Sequence, residues 1–284
     1  MKNILQFAAS ALTFAPLGAL AWGSLGHHTV GYVAMEFISA NTLSNVKSIL
    51  GSKFSESLGP AASWADEVRS TYPWASKFHF IDANDSPPDT CSVSVSRDCG
   101  SGCIIGAIQN YTTRLLDTDL SATQRQQALL FVTHFIGDIG QPLHVEAYKV
   151  GGNSIDVTCD GDSTNLHHVW DTSMVEKSVN ARFSGSEEDY ATALANKIKT
   201  GSYKSAASGW KTCITASALK GTSCPLVWAT EANKYDCSNV FDYTDGDDLC
   251  TGSYYTSAMT VIDEQIAKQG YRLAAWLDAV FDSL

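Results

Sequence analysis

Apolar positions along most of this chain recur with a helical rather than a strand period. In SATQRQQALLFVTHFIGDIG a polar start gives way to Leu129, Leu130, Phe131, Val132, Phe135, Ile136 and Ile139. That spacing predicts a helix apolar nearly all round, and therefore buried. Ser121 and Gln124 form a capping-box pattern at its start, and Gly140 with Pro142 predict its end. Helices are also predicted over 29–39, 61–69, 102–117, 187–200, 225–235 and 254–281. Pro225 suits a first turn and Gly201 a C-terminal stop. One stretch, YKVGGNSIDVTCDG, reads as a short hairpin punctuated by Gly151-Gly152 and Asp160-Gly161. The chain has no internal repeat or long linker, so the pattern predicts one mainly α domain, a helical bundle with a short β-hairpin.

The first residues change the picture of where that domain begins. MKNILQFAASALTFAPLGALA has one lysine, an apolar middle and the small-residue ending Ala19-Leu20-Ala21. This reads as a secretory signal over residues 1–21, too short and wrongly flanked for a membrane span. No later stretch reaches the ~18–20 apolar residues a spanning helix needs. Cleavage after Ala21 makes Trp22 the first residue of a soluble, extracellular domain over 22–284. All 8 cysteines fall in that part, and an even count in an exported chain predicts disulfides rather than zinc thiolates. Cys99 and Cys103 can close a small local loop; spacing leaves the remaining connectivity open. Asn84 (NDS) and Asn110 (NYT) are glycosylation sequons, Asn110 the stronger because proline follows the serine of the first.

The formal charge is −11, and loss of Lys2 makes the mature chain one unit more negative. On charge alone such a protein repels nucleic acid. Bound cations would invert that local logic.

Histidines supply the candidate chemistry. His134 and Asp138 in HFIGD stand i, i+4 on the buried helix. A buried imidazole and carboxylate must be paired or metal-bound, and for this segment alone either arrangement suffices. The same spacing recurs at His167 and Asp171 in NLHHVWD, and His144 follows the helix break in QPLH. Two such pairs plus a third histidine favour a metal site, and imidazole with carboxylate in an oxidising compartment favours zinc over calcium or magnesium. SWADEVR adds Asp66 and KFHFIDA adds His79 and Asp82, each weak by itself.

In order along the chain stand WGxxGH, WAD, HFIDA, H-x-x-x-D before QPLH, GGN and NLHHxWD, with DSPP, RDCGSGC, QNYT and GYRLAAWLD beside them. This set resembles the secreted zinc-dependent single-strand-specific nucleases and 3′-nucleotidases of fungi and plants, of the S1 and P1 type, over nearly the whole mature chain. More distantly similar are bacterial zinc phospholipases C, which lack the full set. The resemblance implies three Zn2+ per chain. Asp66, His79, His134 and Asp138 would hold the first and His144, His167 and Asp171 the second. The third would take His27, Asp138 as a bridge, and the free amine and carbonyl oxygen of Trp22. His28 and His168 are left over, expected to point away.

The resemblance also implies an endonuclease acting on single-stranded DNA and RNA and on 3′-nucleotides. The P–O3′ bond would break to leave 5′-phosphate products. Paired zinc ions can lower the pKa of a shared water, and the net positive cluster can bind phosphate in an otherwise acidic protein. Arg69, one turn beyond Asp66, would stabilise the phosphoryl group. Asp82 would orient the attacking group or hold Arg69, Phe80 would stack on an unpaired base, and Asn153 would bond its edge. Cys91–Cys237 and Cys99–Cys103 are the family-like disulfides. A monomer with no membrane attachment is expected. Gly140 departs from the family pattern, standing where many members have histidine. A phospholipase C, or a secreted zinc-binding protein without activity, are the alternative readings.

Overall fold

A computed structural model describes residues 22–284. The predicted export signal and its cleavage site at Ala21 lie outside the described residues. The chain runs through α1 (Ser24–Met35), α2 (Ala40–Leu50), α3 (Leu58–Ala61), α4 (Trp64–Glu67), α5 (Val95–Asp98), α6 (Ile104–Leu116) and α7 (Ala122–Asp138). It then forms β1 (Asp156–Cys159) and β2 (Asp162–Asn165), followed by α8 (Leu166–His168), α9 (Met174–Phe183), α10 (Glu187–Lys199), α11 (Lys204–Trp210), α12 (Ser223–Tyr235) and α13 (Gly252–Phe281). The fold is thus mainly helical, with one two-stranded antiparallel sheet among the described residues.

Helix α7 begins as its sequence requires. The Ser121 hydroxyl accepts from the Gln124 amide while the Gln124 side chain accepts from the Ser121 amide. Every residue from Ala128 to Asp138 is buried, so the apolar run sits in the middle of the core with its one imidazole and one carboxylate. Beyond the break, Pro142–Val145 forms a buried 3-10 turn. In the hairpin, Asp156 pairs with Asn165 and Cys159 with Asp162. Asp160 and Gly161 make the turn with φ of 51° and 87°, the left-handed pair a tight hairpin demands.

Two predicted spans shift, each for a tertiary reason. The helix expected over 29–39 begins at Ser24, because the Gly23 amide is fixed by the Asp171 carbonyl at 2.9 Å and Gly26 packs on Trp22. It stops at Met35, since Ser39 caps α2, a helix that the apolar pattern did not reveal. The helix expected over 61–69 is instead two single turns, stepped at Ala62 and Ser63. That step leaves the Ala62 carbonyl to accept from His134 Nδ1 at 2.6 Å.

Helix α1 is clamped between α13, α3 and α10. A Cβ on Gly31 would lie 2.4 Å from the Leu58 carbonyl oxygen, and one on Gly270 would lie 2.5 Å from Val33 Cβ. These contacts bring the α1 backbone close enough to aim His27 inward. Gly31→Ala is therefore expected to cost about 1–3 kcal/mol, since backbone on the facing helix must retreat. Urea unfolding checks this; an unchanged midpoint would mean that the crossing tolerates the methyl group.

Four disulfides brace the loops: Cys91–Cys237, Cys99–Cys103, Cys159–Cys250 and Cys213–Cys224. The last two resolve the pairing that spacing left open.

Candidate metal centre

Six segments deliver their imidazoles and carboxylates to one buried place. Helix α7 brings His134 and Asp138, the turn after it brings His144, and the 3-10 segment Pro73–His79 brings His79. Asp66 comes from α4 and His27 from α1. Asn165 caps α8 by accepting from the His168 amide, and the chain then widens into a π-helical turn over Val169–Ser173. That turn keeps His167 Nε2 at 2.8 Å from Asp171 Oδ2. Widened turns of this kind are frequent at functional sites.

Asp138 lies at the centre. Its Oδ2 is 3.1 Å from both His134 Nε2 and His79 Nδ1, and its Oδ1 is 3.0 Å from His27 Nε2. Asp66 Oδ1 lies 3.6 Å from His79 Nδ1 and 3.7 Å from His134 Nε2. On the other side, His144 Nε2 is 3.7 Å from Asp171 Oδ2. The atoms form three groups, His27/His134/Asp138, Asp66/His79/His134 and His144/His167/Asp171, each with ligand atoms within 4.8 Å of one another. A fourth, Cys159/Asp160/Cys250, is a disulfide and so has no thiolate to offer.

Hydrogen bonding decides which ring nitrogens are free to act. His134, His144 and His167 donate Nδ1–H to the carbonyls of Ala62, His79 and Gly151 at 2.6, 2.9 and 2.6 Å. Each Nε2 lone pair then faces the carboxylates, as ligating histidines are held. His27 Nε2, His144 Nε2, His167 Nε2, Asp66 Oδ1, Asp138 Oδ1 and Asp171 Oδ2 are buried and, although they face one another or Arg69 as ion pairs, make no aligned hydrogen bond. Acceptors that converge in this way are costly to bury unless a cation joins them. Around His79, His134, Asp66 and Asp138 a proton can bridge only one pair. A tetrahedral zinc with bonds of ~2.0–2.2 Å separates its ligands by about 3.3 Å, within the spread found here. The donor set fits zinc.

Electrostatics divide the imidazoles, lowering His27 and His79 and raising His134 and His144. Burial, helped by neighbouring His134, pushes His27 down to about 4 and His79 to about 3, so both are neutral imidazoles near pH 7. Burial acts to raise Asp138, but its interactions with His134 and His27 outweigh it and hold the carboxyl well below its ordinary range. Asp171 is lowered in the same way by His167 and His144. His144, though buried, is lifted to about 9 by the Asp171 carboxylate.

The other predicted residues lie around this cluster. Arg69 Nε is 3.2 Å from Asp66 Oδ1, so its guanidinium leans on the cluster's edge. Asp82 is exposed at the surface, and desolvation by neighbouring protein together with the charge of Asp98 raises its carboxyl. Phe80 is half-buried and takes no part in the hydrophobic core. Its segment runs beside the His144 turn, with the Ile81 amide on the His144 carbonyl at 2.9 Å. Asn153 donates Nδ2–H to the Val150 carbonyl at 2.8 Å. The indole of Trp22 is fully buried, and its Nε1–H donates to the Gly137 carbonyl at 3.0 Å. His28 turns away to Glu187 and Ser63, and His168 is exposed. Both sequon asparagines, Asn84 and Asn110, are exposed.

Some supporting residues escaped the sequence reading. Gln141 accepts from the Leu143 amide and donates to Asp171 Oδ1, both at 2.5 Å, which orients that carboxylate. Its place inside QPLH was the available signal. Gly151 must be glycine: its φ is 56°, and a Cβ would lie 2.6 Å from the Leu143 carbonyl oxygen. At Gly140 the space of a side chain is filled by buried Gln269, whose Cγ stands 2.3 Å from where a Cβ would be.

Comparison with known proteins adds an independent line. The sequence profile of the S1/P1 Nuclease family matches residues 22–282. Nuclease S1 of Aspergillus oryzae is 45% identical over 287 residues, covering 99% of this chain and 98% of its own. Nuclease P1 of Penicillium citrinum is 45% identical, covering 92% of this chain and 98% of its own. Endonuclease 2 of Arabidopsis thaliana is 35% identical, covering 95% of this chain and 94% of its own.

Proposed function

Because the chain belongs to the S1/P1 nuclease family, we propose that it is an exported, zinc-dependent phosphodiester hydrolase of single-stranded DNA and RNA that also removes phosphate from 3′-nucleotides. The observation that carries this reading is the convergence of buried imidazole and carboxylate atoms on Asp138 and Asp171. Asp66, His79, His134 and Asp138 would hold one zinc, and His144, His167 and Asp171 a second. After cleavage at Ala21, His27, Asp138 and the backbone amine and carbonyl of Trp22 would hold a third. Zinc bound there supplies Lewis acidity, which makes water a stronger nucleophile and offsets phosphate charge.

The remaining steps belong to the protein's own side chains. Arg69, anchored on Asp66, presents its guanidinium to the phosphoryl oxygens. Phe80 offers a ring to an unpaired base, Asn153 an amide to the base edge, and Asp82 a carboxylate at the entrance. A base in a duplex must first leave its stack to reach such a ring, which is the physical basis of single-strand preference. The acidic chain, at −11, would otherwise repel its substrate.

Chelation tests the proposal. EDTA treatment should abolish hydrolysis of denatured DNA, and added zinc should restore it, with about three zinc ions per chain by elemental analysis. Products should carry 5′-phosphates. Ends carrying 3′-phosphate would overturn the assigned bond, and full activity after complete zinc removal would overturn the metal.

A further inference from the structure

Beside the metal centre lies a groove of about 430 Å³ that the catalytic scheme does not use. Its walls include Tyr148, Lys149, Pro87, Phe241, Tyr243 and Asp156. Volumes of ~300–1,000 Å³ are usual for small-ligand sites. Tyr148 is 45% exposed, a large ring left open to solvent. Phe241 meets it edge to face with centroids 5.6 Å apart, and Lys149 Nζ stands 5.8 Å from the Tyr148 centroid. Tyr243 and Phe241 are themselves packed on the core, so the groove has a fixed floor.

The walls are braced in a way that suits recognition. Cys91–Cys237 ties the segment carrying Pro87 to the one carrying Phe241. Cys159–Cys250 ties the hairpin carrying Asp156 to the segment after Tyr243. Asp248 tightens the second join by accepting from the amides of Asp160 and Gly161 at 3.0 and 2.8 Å. A preformed groove loses little entropy on binding. It also lies close to the centre: the Tyr148 carbonyl accepts from the amide of Gly152, next to Gly151, whose carbonyl holds His167, and Ser154 of the lining follows Asn153.

We propose that this groove is a second base-binding subsite, taking the nucleobase of a residue that flanks the cleaved nucleotide in a single strand. The inference rests on the nuclease reading above. Aromatic rings supply stacking surface to any base. With one ammonium against the carboxylates of Asp156 and Asp245, the lining is a poor phosphate cradle. Those carboxylates suit the exocyclic amines of adenine, cytosine and guanine instead. The enzyme thereby grips a strand more tightly than a mononucleotide.

Steady-state kinetics of Tyr148→Ala on a single-stranded hexanucleotide and on 3′-AMP tests this. The hexanucleotide KM should rise about 5- to 10-fold with kcat unchanged, the low end of what one lost stacking partner costs. The 3′-AMP parameters should stay within about twofold, and Tyr148→Phe should restore the hexanucleotide KM. Equal losses on both substrates, or no change on either, would overturn the subsite while leaving the nuclease reading intact. An unaltered protein that hydrolyses neither substrate would overturn the nuclease reading, and the subsite with it.

Discussion

Replacing Asp138 by asparagine is expected to lower kcat on denatured DNA by at least about 10²–10³-fold, the range for removing one strong electrostatic stabiliser from a site. Asp138 Oδ1 faces His27 while its Oδ2 faces His79 and His134, so this one carboxylate joins its own group to His79 of the next. Asparagine keeps the shape, but it carries no charge and turns an N–H towards imidazole nitrogens or metal. Zinc content should fall by at least one ion per chain, with the far-ultraviolet dichroism of the helices unchanged. Because Asp138 is fully buried at the end of α7, its side chain has no solvent to fall back on. Retained zinc and retained activity would mean that the carboxylate only pairs with histidines, and the metal assignment would fail.

Extending the chain by even one residue before Trp22 should be nearly as damaging. The Trp22 indole is locked against the carbonyl of Gly137, next to Asp138, and the Gly23 amide is locked on the carbonyl of Asp171. The start of the described chain is thus pinned between two segments that carry candidate ligands. A protein beginning at Trp22 has a basic α-amine there, whereas one retaining Ala21 has an amide whose lone pair is delocalised and does not bind metal. The extended protein should hold about one zinc fewer and lose about 10²-fold in activity. Its folding should be the same, because the buried indole remains. Elemental analysis and kinetics on the two forms decide the matter. Equal zinc and equal activity would reduce signal removal to delivery alone.

The supporting geometry explains why these candidate ligands are visible in the sequence while their surroundings are not. Histidine and aspartate four apart on a helix face one another by helical geometry alone, so His134 with Asp138 could be read from the chain. Gln141 could not, because its role depends on Asp171, which is distant in sequence and near only in the fold. Phe80, Asp82 and Asn153 were named by resemblance; the fold sets them on segments beside His144 and Gly151, where local pattern carries no information.

The sequence by itself determined the elements whose physics is local. The capping box of α7, the left-handed turn at Asp160-Gly161, and the His–Asp spacing at 134/138 and 167/171 each depend on residues a few positions apart. Tertiary structure alone decided what depends on distant partners. It broke the helix expected over 61–69 so that the Ala62 carbonyl could hold His134, and it began α1 early against Asp171. It joined Cys159 to Cys250 across 91 positions and brought six segments together around Asp138 and Asp171. The reason is the same in each case: the free energy that fixes such features comes from burying groups which meet only once the chain has folded.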